Sequence, residues 1–256
     1  MLICRLVYNQ NMSFLAMVLA GICCGFIDSS LGMGYGVSAT SVLLTFGVTP
    51  ALASASIHAS EAVVDIVSGI SHFKNGNVDL QVSWYMLIPG IIASALGAVF
   101  LSNLSLSSAK PIIRLVLILL GLLIIYQTYN GKKVKSKITR LKAMILGFVA
   151  AFVDVAVGGG WGPIGTPALI LSGEEPRKAV GVIEFTEPLI SLTAVLTFGF
   201  VLGFENFMWN LAIPMIIGGV ILTPIASRLT SVLPRKTLGL IIGVWLIVLN
   251  LWGLLS

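Results

Sequence analysis

A polar face runs along one apolar stretch of the chain, Ala51–Phe73. Its polar side chains recur every three or four residues, the spacing of one face of an α-helix. They are Ser54, His58, Glu61, Asp65, Ser68 and His72. His58 and Glu61 lie one helical turn apart, so the imidazole and the carboxyl group could share a proton. Because an apolar environment disfavours a charged carboxylate, this face is predicted to exchange protons.

The stretch Ala179–Val201 repeats part of this face with Glu184, Glu187 and Ser191. The two glutamates are one turn apart and could also share a proton. Pro188 has no N–H to donate to the Glu184 carbonyl, so a kink is predicted here. A hydrogen-bonded cluster with a purely structural role is the alternative for both faces.

Glycine-rich segments occur twice, as "GFIDSSLGMGYG" and as "FVDVAVGGGWG". Each precedes an apolar segment whose predicted helix would begin with free N–H groups and the positive end of its dipole, which favour an anion. The predicted anion-binding residues are Gly32, Gly34, Gly36, Ser38, Thr40, Gly158, Gly159, Gly160, Gly162 and Thr166. Close packing of small residues is the alternative. A nucleotide-binding fingerprint is excluded, because the spacing is G-x-G-x-G and no strand precedes it.

Asp28 and Asp154 each lie one helical turn before a glycine segment. An ionisable side chain at membrane depth is by default a functional hypothesis. A carboxylate there could equally accept hydrogen bonds from the broken backbone beside it. Buried carboxylates also repel an anion, so an anion exporter would need neutral carboxyl groups or proton coupling. A cation carrier would need neither, and the sequence leaves this choice open.

The elements that position these residues belong in a membrane. The chain is 57% hydrophobic and 10% charged, with a mean hydropathy of +1.03, whereas soluble domains carry roughly 25% charged residues. Uncharged runs such as Leu80–Ala109 and Thr237–Ser256 reach the ~20 residues that cross a bilayer as a helix. The sequence therefore predicts a multi-pass helical membrane protein, and the formal charge of +5 is a topology signal that gives no support to nucleic-acid binding.

The chain is a tandem repeat. At an offset of 126 residues, the segment 26–72 aligns with 152–198 without a gap. An apolar composition produces chance matches of Leu, Val and Ala, but not of acidic residues, prolines and spaced glycines. The identical pairs include Asp28/Asp154, Gly32/Gly158, Gly34/Gly160, Gly36/Gly162, Thr40/Thr166, Pro50/Pro176 and Glu61/Glu187.

Each half is predicted to contain one glycine-interrupted helical hairpin and three transmembrane helices. The segments are Phe14–Leu31, Val37–Phe46, Ala51–Phe73, Ser83–Leu101 and Ala109–Tyr129, then Leu141–Val157, Pro163–Leu171, Ala179–Val201, Phe207–Ser227 and Thr237–Leu255. Val37–Phe46 and Pro163–Leu171 are too short to span a bilayer. The predicted organisation is a first repeat at 1–128, a basic linker at 129–142 and a second repeat at 143–256.

Positive charge orients these segments, because cytoplasmic loops are rich in lysine and arginine. The linker carries Lys132, Lys133, Lys135, Lys137, Arg140 and Lys142. If each hairpin returns to its own side, each half crosses three times, and only Arg5, Lys110 and Arg114 remain outside. Counting every segment as a crossing also gives an odd number per half. An odd number makes the two halves inverted repeats, and such repeats suggest alternating access at their interface.

With these motifs in place, the chain resembles the sulfite exporter TauE/SafE family of membrane proteins. The resemblance rests on "GFIDSSLGMGYG" followed by "VTPALASASIHASE", and on "VDVAVGGGWGPIGTPALI" followed by "PRKAVGVIEFTEPLISL". It covers essentially the whole chain. It implies an integral transporter of sulfite, sulfonates or other small sulfur-containing organic anions, often directed outward. The positions carried over are Asp28, Gly32, Gly34, Gly36, Asp154, Gly158, Gly160, Gly162, His58, Glu61 and Glu187.

We therefore expect an all-α integral membrane protein of two inverted repeats that acts as an anion transporter in the plasma membrane. Its partners would be the bilayer and a small anion, without cofactor, metal or nucleic acid. The alternative is a carrier or channel for a cation or another organic anion, using the intramembrane carboxylates directly. An intramembrane enzyme is disfavoured, because the chain has two histidines, no HExxH motif and no Ser–His or Cys–His pairing. A scaffold without flux of its own is a further rival.

Overall fold

Ten α-helices and one short 3-10 turn make up the computed structural model, which describes residues 14–104, 106–130, 138–230, 232–233 and 235–255. In chain order the first five are α1 (Phe14–Leu31), α2 (Tyr35–Thr45), α3 (Pro50–Lys74), α4 (Leu80–Asn103) and α5 (Leu106–Asn130). The next five are α6 (Arg140–Val157), α7 (Trp161–Leu171), α8 (Pro176–Leu202), α9 (Trp209–Leu229) and α10 (Arg235–Leu255). Each predicted segment corresponds to one of these helices, which confirms the all-α class. The linker lysines Lys132, Lys133, Lys135 and Lys137 lie outside the described residues.

The helices have the length and the surface of a membrane protein. By length and apolar composition, five stretches of the described residues could cross a bilayer: Phe14–Leu31, Leu80–Asn103, Ala109–Tyr126, Pro176–Leu202 and Trp209–Leu229. Large apolar side chains also remain exposed every fourth residue along α4, where Trp84, Ile88, Ile92 and Leu96 face outward. Such a stripe suits contact with lipid rather than with water. The chain is an integral membrane protein.

The two short helices that the sequence predicts, α2 and α7, are present and contain 11 residues each. They begin two residues earlier than expected, at Tyr35 and Trp161 instead of Val37 and Pro163. The N–H groups of Tyr35 and Trp161 donate to the side chains of Asp28 and Asp154, respectively. These bonds place the two residues in the first turn of their helices. The irregular segments are correspondingly shorter, and Gly36 lies inside a helix, as does its repeat equivalent, Gly162.

The halves of the repeat interlock. In the first half α4 packs closely on α6 of the second half, where a Cβ on Gly147 would collide with the Met86 backbone. The equivalent pair is α1 with α9, where a Cβ on Gly21 would collide with the Met215 backbone. The most extensive helix pairs thus join one half to the other, so neither half forms a core by itself.

Helices at equivalent positions of the repeat pair with each other and run antiparallel. Gly69 near the end of α3 lies against the backbone of Glu184 near the start of α8. A Cβ on Gly69 would come within 2.8 Å of the Glu184 carbonyl oxygen. This is the carbonyl for which Pro188 supplies no helical donor, yet α8 continues through Pro188 as one helix. In the same way, α5 and α10 cross at Gly121 and Gly243.

Candidate functional site

The two glycine segments meet in the interior, held by a pair of crossed hydrogen bonds. The Thr40 hydroxyl of α2 donates to the carbonyl oxygen of Gly158, the first glycine of the second glycine segment. The Thr166 hydroxyl of α7 donates to the carbonyl oxygen of Gly32 over 2.6 Å. These four residues are equivalent in pairs at the repeat offset, and all four are buried. The contact therefore has two-fold symmetry.

Backbone approaches backbone so closely at this contact that side chains do not fit. Gly159 has a φ of 142°, a left-handed conformation that favours glycine. A Cβ there would collide with the backbone nitrogen of Val37. At Gly162 an added Cβ would collide with the carbonyl oxygen of Gly32 and come within 2.8 Å of the Met33 Cα atom. The glycines thus provide the close packing that is the alternative to anion binding, together with an irregular backbone between the helices.

Both aspartates cap the short helices that follow them. The Asp154 Oδ1 atom accepts hydrogen bonds from the backbone N–H groups of Gly160 at 2.7 Å and Trp161 at 3.1 Å. The Asp28 Oδ1 atom accepts one from Tyr35 at 3.3 Å. The capping role that the sequence leaves open is therefore present. In each aspartate the second oxygen, Oδ2, is buried and has no hydrogen-bond partner.

Several donors predicted to hold an anion have protein partners in this conformation. The Thr40 and Thr166 hydroxyls bond glycine carbonyls, and the first N–H groups of α2 and α7 bond the aspartates. Ser38 is partly buried at the side of α2. The assignment of these residues to a substrate thus stays a prediction, and it requires these bonds to open.

The polar face of α3 reaches the second glycine segment through His58. Its Nδ1 atom lies 2.9 Å from Glu61 Oε2, and its Nε2 atom lies 4.0 Å from Asp154 Oδ2. The Ser191 hydroxyl of α8 is 3.5 Å from the same Nδ1 atom. All four side chains are buried. The structure therefore adds the Asp154 carboxyl group, from a separate helix, to the pair of His58 and Glu61 on α3.

Three other predicted acids meet across α1, α3 and α8. One oxygen atom from each of Asp28, Asp65 and Glu184 lies within 4.8 Å of the other two. Glu187 is buried one turn further along α8, with its Oε2 atom unpartnered. The cluster extends to two serines, Ser68 of the polar face and Ser29 of α1, which the sequence does not group with these acids. Ser68 donates to Glu184 Oε2 and lies 2.8 Å from the hydroxyl of Ser29.

A chain of polar groups connects this cluster to one end of the bundle. His72 Nε2 donates to the Ser29 carbonyl at 2.7 Å, and its Nδ1 atom accepts from the Asn77 amide at 3.2 Å. Asn77 also donates to the Ser227 carbonyl at 3.3 Å. Asn77 follows the polar face and lies in a turn, so the helical spacing gives no signal for it.

A polar cavity of about 200 Å³ opens at that end. It is lined by Asn75, Asn77, Arg177, Ser227, Arg228 and Thr230. Two of these are arginines, so the cavity attracts anions. The sequence gives no signal for this cavity, because its residues come from the end of α3, the start of α8 and the end of α9, which are far apart in the chain.

Comparisons with known proteins agree with the membrane character of the chain. The family described as "Sulfite exporter TauE/SafE" matches residues 17–252. A "Probable membrane transporter protein YtnM" of Bacillus subtilis (strain 168) is 42% identical over 236 residues, which cover 90% of this chain and 79% of the relative. A "Probable membrane transporter protein" of Haemophilus influenzae is 25% identical over 210 residues, 78% of each chain.

Proposed function

The chain belongs to the sulfite exporter TauE/SafE family, and we propose that it exports sulfite or a small organosulfonate across the plasma membrane. Membrane transport, and not enzymatic catalysis, is what the family and the two relatives have in common. The observation that carries the proposal is the pair of crossed bonds from Thr40 and Thr166. These bonds bring the two glycine segments, each of which interrupts a helical hairpin, to one buried point, where a carrier could bind a small solute.

The proposed mechanism is alternating access between two inverted repeats. Repeats related by an axis in the membrane plane place equivalent helices antiparallel. The antiparallel pairs α3 with α8 and α5 with α10 support this arrangement. The distribution of positive charge supports it as well, because Arg177 and Arg228 line one cavity. Arg140 stacks on Tyr85 near the start of α4, its guanidinium 5.4 Å from the ring centre, and that end would be cytoplasmic.

The substrate would bind where the glycine segments part. In the closed contact, the Thr40 and Thr166 hydroxyls donate to carbonyls of the opposite half. Separation of the two segments would release both hydroxyls toward the gap. The dipoles of α2 and α7 begin at the same place and favour negative charge. An oxyanion with several acceptor oxygens suits such a set of released donors better than a cation does.

Proton coupling would allow an anion to bind close to the buried acids, which would repel it if they were ionised. His58 Nδ1 lies within hydrogen-bond distance of Glu61, and His58 Nε2 faces Asp154 at 4.0 Å, so a small approach of Asp154 would let the three groups exchange a proton beside the glycine segment. A protonated acid neither repels the anion nor leaves an uncompensated charge during the conformational change. We propose that this group holds the proton when the anion is bound.

Flux into and out of liposomes tests the proposal. The purified protein should transport sulfite or a sulfonate saturably and should not conduct monovalent cations. Gly34→Leu or Gly160→Leu should abolish that flux while the protein is still produced in the membrane, because Gly34 has a φ of 130° and Gly160 lies against Asp154. Cation flux without anion flux would favour the alternative carrier, and wild-type flux in both variants would contradict the site assignment.

A further inference from the structure

The repeat produces two equivalent polar clusters whose chemistry differs. At the offset of 126 residues, Asp28 corresponds to Asp154, Asp65 to Ser191, and Glu184 to His58. The cluster of Asp154, Ser191 and His58 combines one acid with a hydroxyl and an imidazole, whereas its counterpart holds three acids. We name the group Asp28, Asp65 and Glu184 the acidic cluster.

The acidic cluster is buried and rich in free acceptors. Its three residues are 4%, 1% and 0% exposed, respectively, which leaves water little access to any of them. Asp65 has no hydrogen-bond partner on either carboxyl oxygen, and Asp28 Oδ2 and Glu184 Oε1 also have none. The oxygens that approach within 4.8 Å of one another thus belong to side chains with unused acceptor capacity. A folded protein rarely leaves that many buried oxygens without a partner.

The acidic cluster has no basic partner in the part of the chain that the structure describes. Within the described ranges, no lysine, arginine or histidine forms an ion pair with Asp28, Asp65 or Glu184. His72 contacts the nearby Ser29 carbonyl, and the carboxyl groups that neighbour the cluster are those of Glu61 and Glu187. The equivalent cluster differs, since it contains the imidazole of His58. Buried acids without a basic partner must either be protonated or bind another positive charge.

The atoms that the acidic cluster offers as ligands indicate which kind of ion it would bind. Only carboxyl and hydroxyl oxygens are present, and hard cations prefer such ligands, whereas zinc favours nitrogen and sulfur. Oxygens that all lie within 4.8 Å of one another leave room for an ion with bonds of about 2.3–2.6 Å, the range of Ca²⁺ and of the similarly sized Na⁺, and the burial of the cluster favours an ion that gives up its waters. Mg²⁺ requires bonds of about 2.0–2.1 Å and keeps several waters. The hydroxyl of Ser68 holds Glu184 in place from one side.

We propose that Asp28, Asp65 and Glu184 form a binding site for a hard cation of the size of Na⁺ or Ca²⁺. The three ligands come from α1, α3 and α8, so the bound ion would tie both halves of the repeat together. Cation binding is measured at equilibrium and requires no transport. A protein that binds no cation could still export the anion, and a protein that exports no anion could still bind the cation.

The test is equilibrium binding to the purified full-length chain in detergent at fixed pH and ionic strength. We expect saturable binding of ²²Na⁺ or ⁴⁵Ca²⁺, together with a rise in the unfolding temperature in NaCl or CaCl₂ relative to choline chloride. The two radioisotopes distinguish the monovalent ion from the divalent one, and MgCl₂ tests the size argument. Asp65→Asn, which preserves the side-chain shape, should weaken binding by at least about tenfold.

Asp154→Asn is the matched control, because it neutralises the repeat equivalent of Asp28 outside the acidic cluster. It should retain cation binding. Glu184→Gln provides a second test if Asp65→Asn does not fold. The proposal is overturned if neither ion binds saturably to the wild type, if Mg²⁺ binds in preference to both, or if binding survives both Asp65→Asn and Glu184→Gln. Loss of binding in Asp154→Asn to the same extent would also overturn it. A response to pH alone would identify protons as the compensating charge and reject the metal ion.

Discussion

The hydroxyl of Thr166 donates a 2.6 Å hydrogen bond to the carbonyl oxygen of Gly32, across the interface between the two halves of the chain. Its repeat equivalent, Thr40, makes the reciprocal bond to Gly158. Each bond fastens the short helix of one half to the irregular segment of the other. Any movement that separates the glycine segments must break both bonds.

Thr166→Val should therefore weaken the contact with little change in shape. The Gly32 carbonyl would lose its buried donor, and we expect a loss of about 1–3 kcal/mol in the free energy of unfolding together with slower anion flux. Thermal unfolding in detergent and liposome flux measure the two effects. Thr193→Val is the control, because that hydroxyl bonds only the Leu189 carbonyl of its own helix. Equal behaviour of the two variants would show that the crossed bond has no special role.

Gly162→Ala should prevent the glycine segments from meeting. The new methyl group would overlap the Gly32 carbonyl oxygen, and this backbone contact cannot be relieved by turning a side chain. We expect loss of transport and a cost of more than about 1 kcal/mol. Gly76→Ala is the comparison, since its Cβ would meet no atom within 4 Å and only the positive φ of 68° is strained. Wild-type flux in Gly162→Ala would show that transport does not require the close approach of the two glycine segments.

His58→Gln should separate proton coupling from substrate transport. The imidazole lies between Glu61 and Asp154, so its replacement by a neutral amide interrupts proton exchange between them. In liposomes, an imposed pH gradient should accelerate wild-type anion flux and leave the variant nearly unchanged. If both respond equally to the gradient, the proton passes through other groups. If the wild type does not respond, the coupling proposal fails.

Arg228→Gln should weaken the approach of the anion to the cavity at the end of the bundle. Arg228 lines this cavity with Arg177, whose partner Glu175 lies 2.7 Å away, so Arg228 carries the net positive charge. We expect the KM for the anion to rise several-fold while kcat changes little, and the effect should shrink in high salt. Lys236→Gln removes an equal charge from an exposed position near the start of α10 and should leave KM unchanged. A fall in kcat alone would contradict an approach role.

Much of the architecture was predictable because its signals are local or periodic. The apolar runs located the helices, and the repeated Asp and Gly pattern identified α2 and α7 as helices too short to span. The helix starts were missed by two residues, since the cap comes from an aspartate seven residues before Tyr35 or Trp161. That distance exceeds the three-residue reach of ordinary capping signals.

The site was only partly predictable, because its contacts are long-range. The face of α3 correctly grouped His58 with Glu61. Spacing along one helix could not reveal that Asp65 meets Glu184 or that His58 meets Asp154, because these pairs join different halves. The cavity around Asn77 and Arg228 depends on helix ends that are far apart in the chain.

Positions 58 and 184 are equivalent in the repeat but carry histidine and glutamate, and this difference bears on the relative energies of the two forms of the proposed carrier. With identical halves related by an in-plane two-fold axis, the inward-facing and outward-facing forms would be the same structure turned over, and their energies would be equal. Under the proposed mechanism, the difference between Glu184 and its repeat equivalent His58 would remove that degeneracy, because the two forms would expose different groups to each side. Such a carrier would have a preferred resting orientation set by the ions and the pH on either side of the membrane.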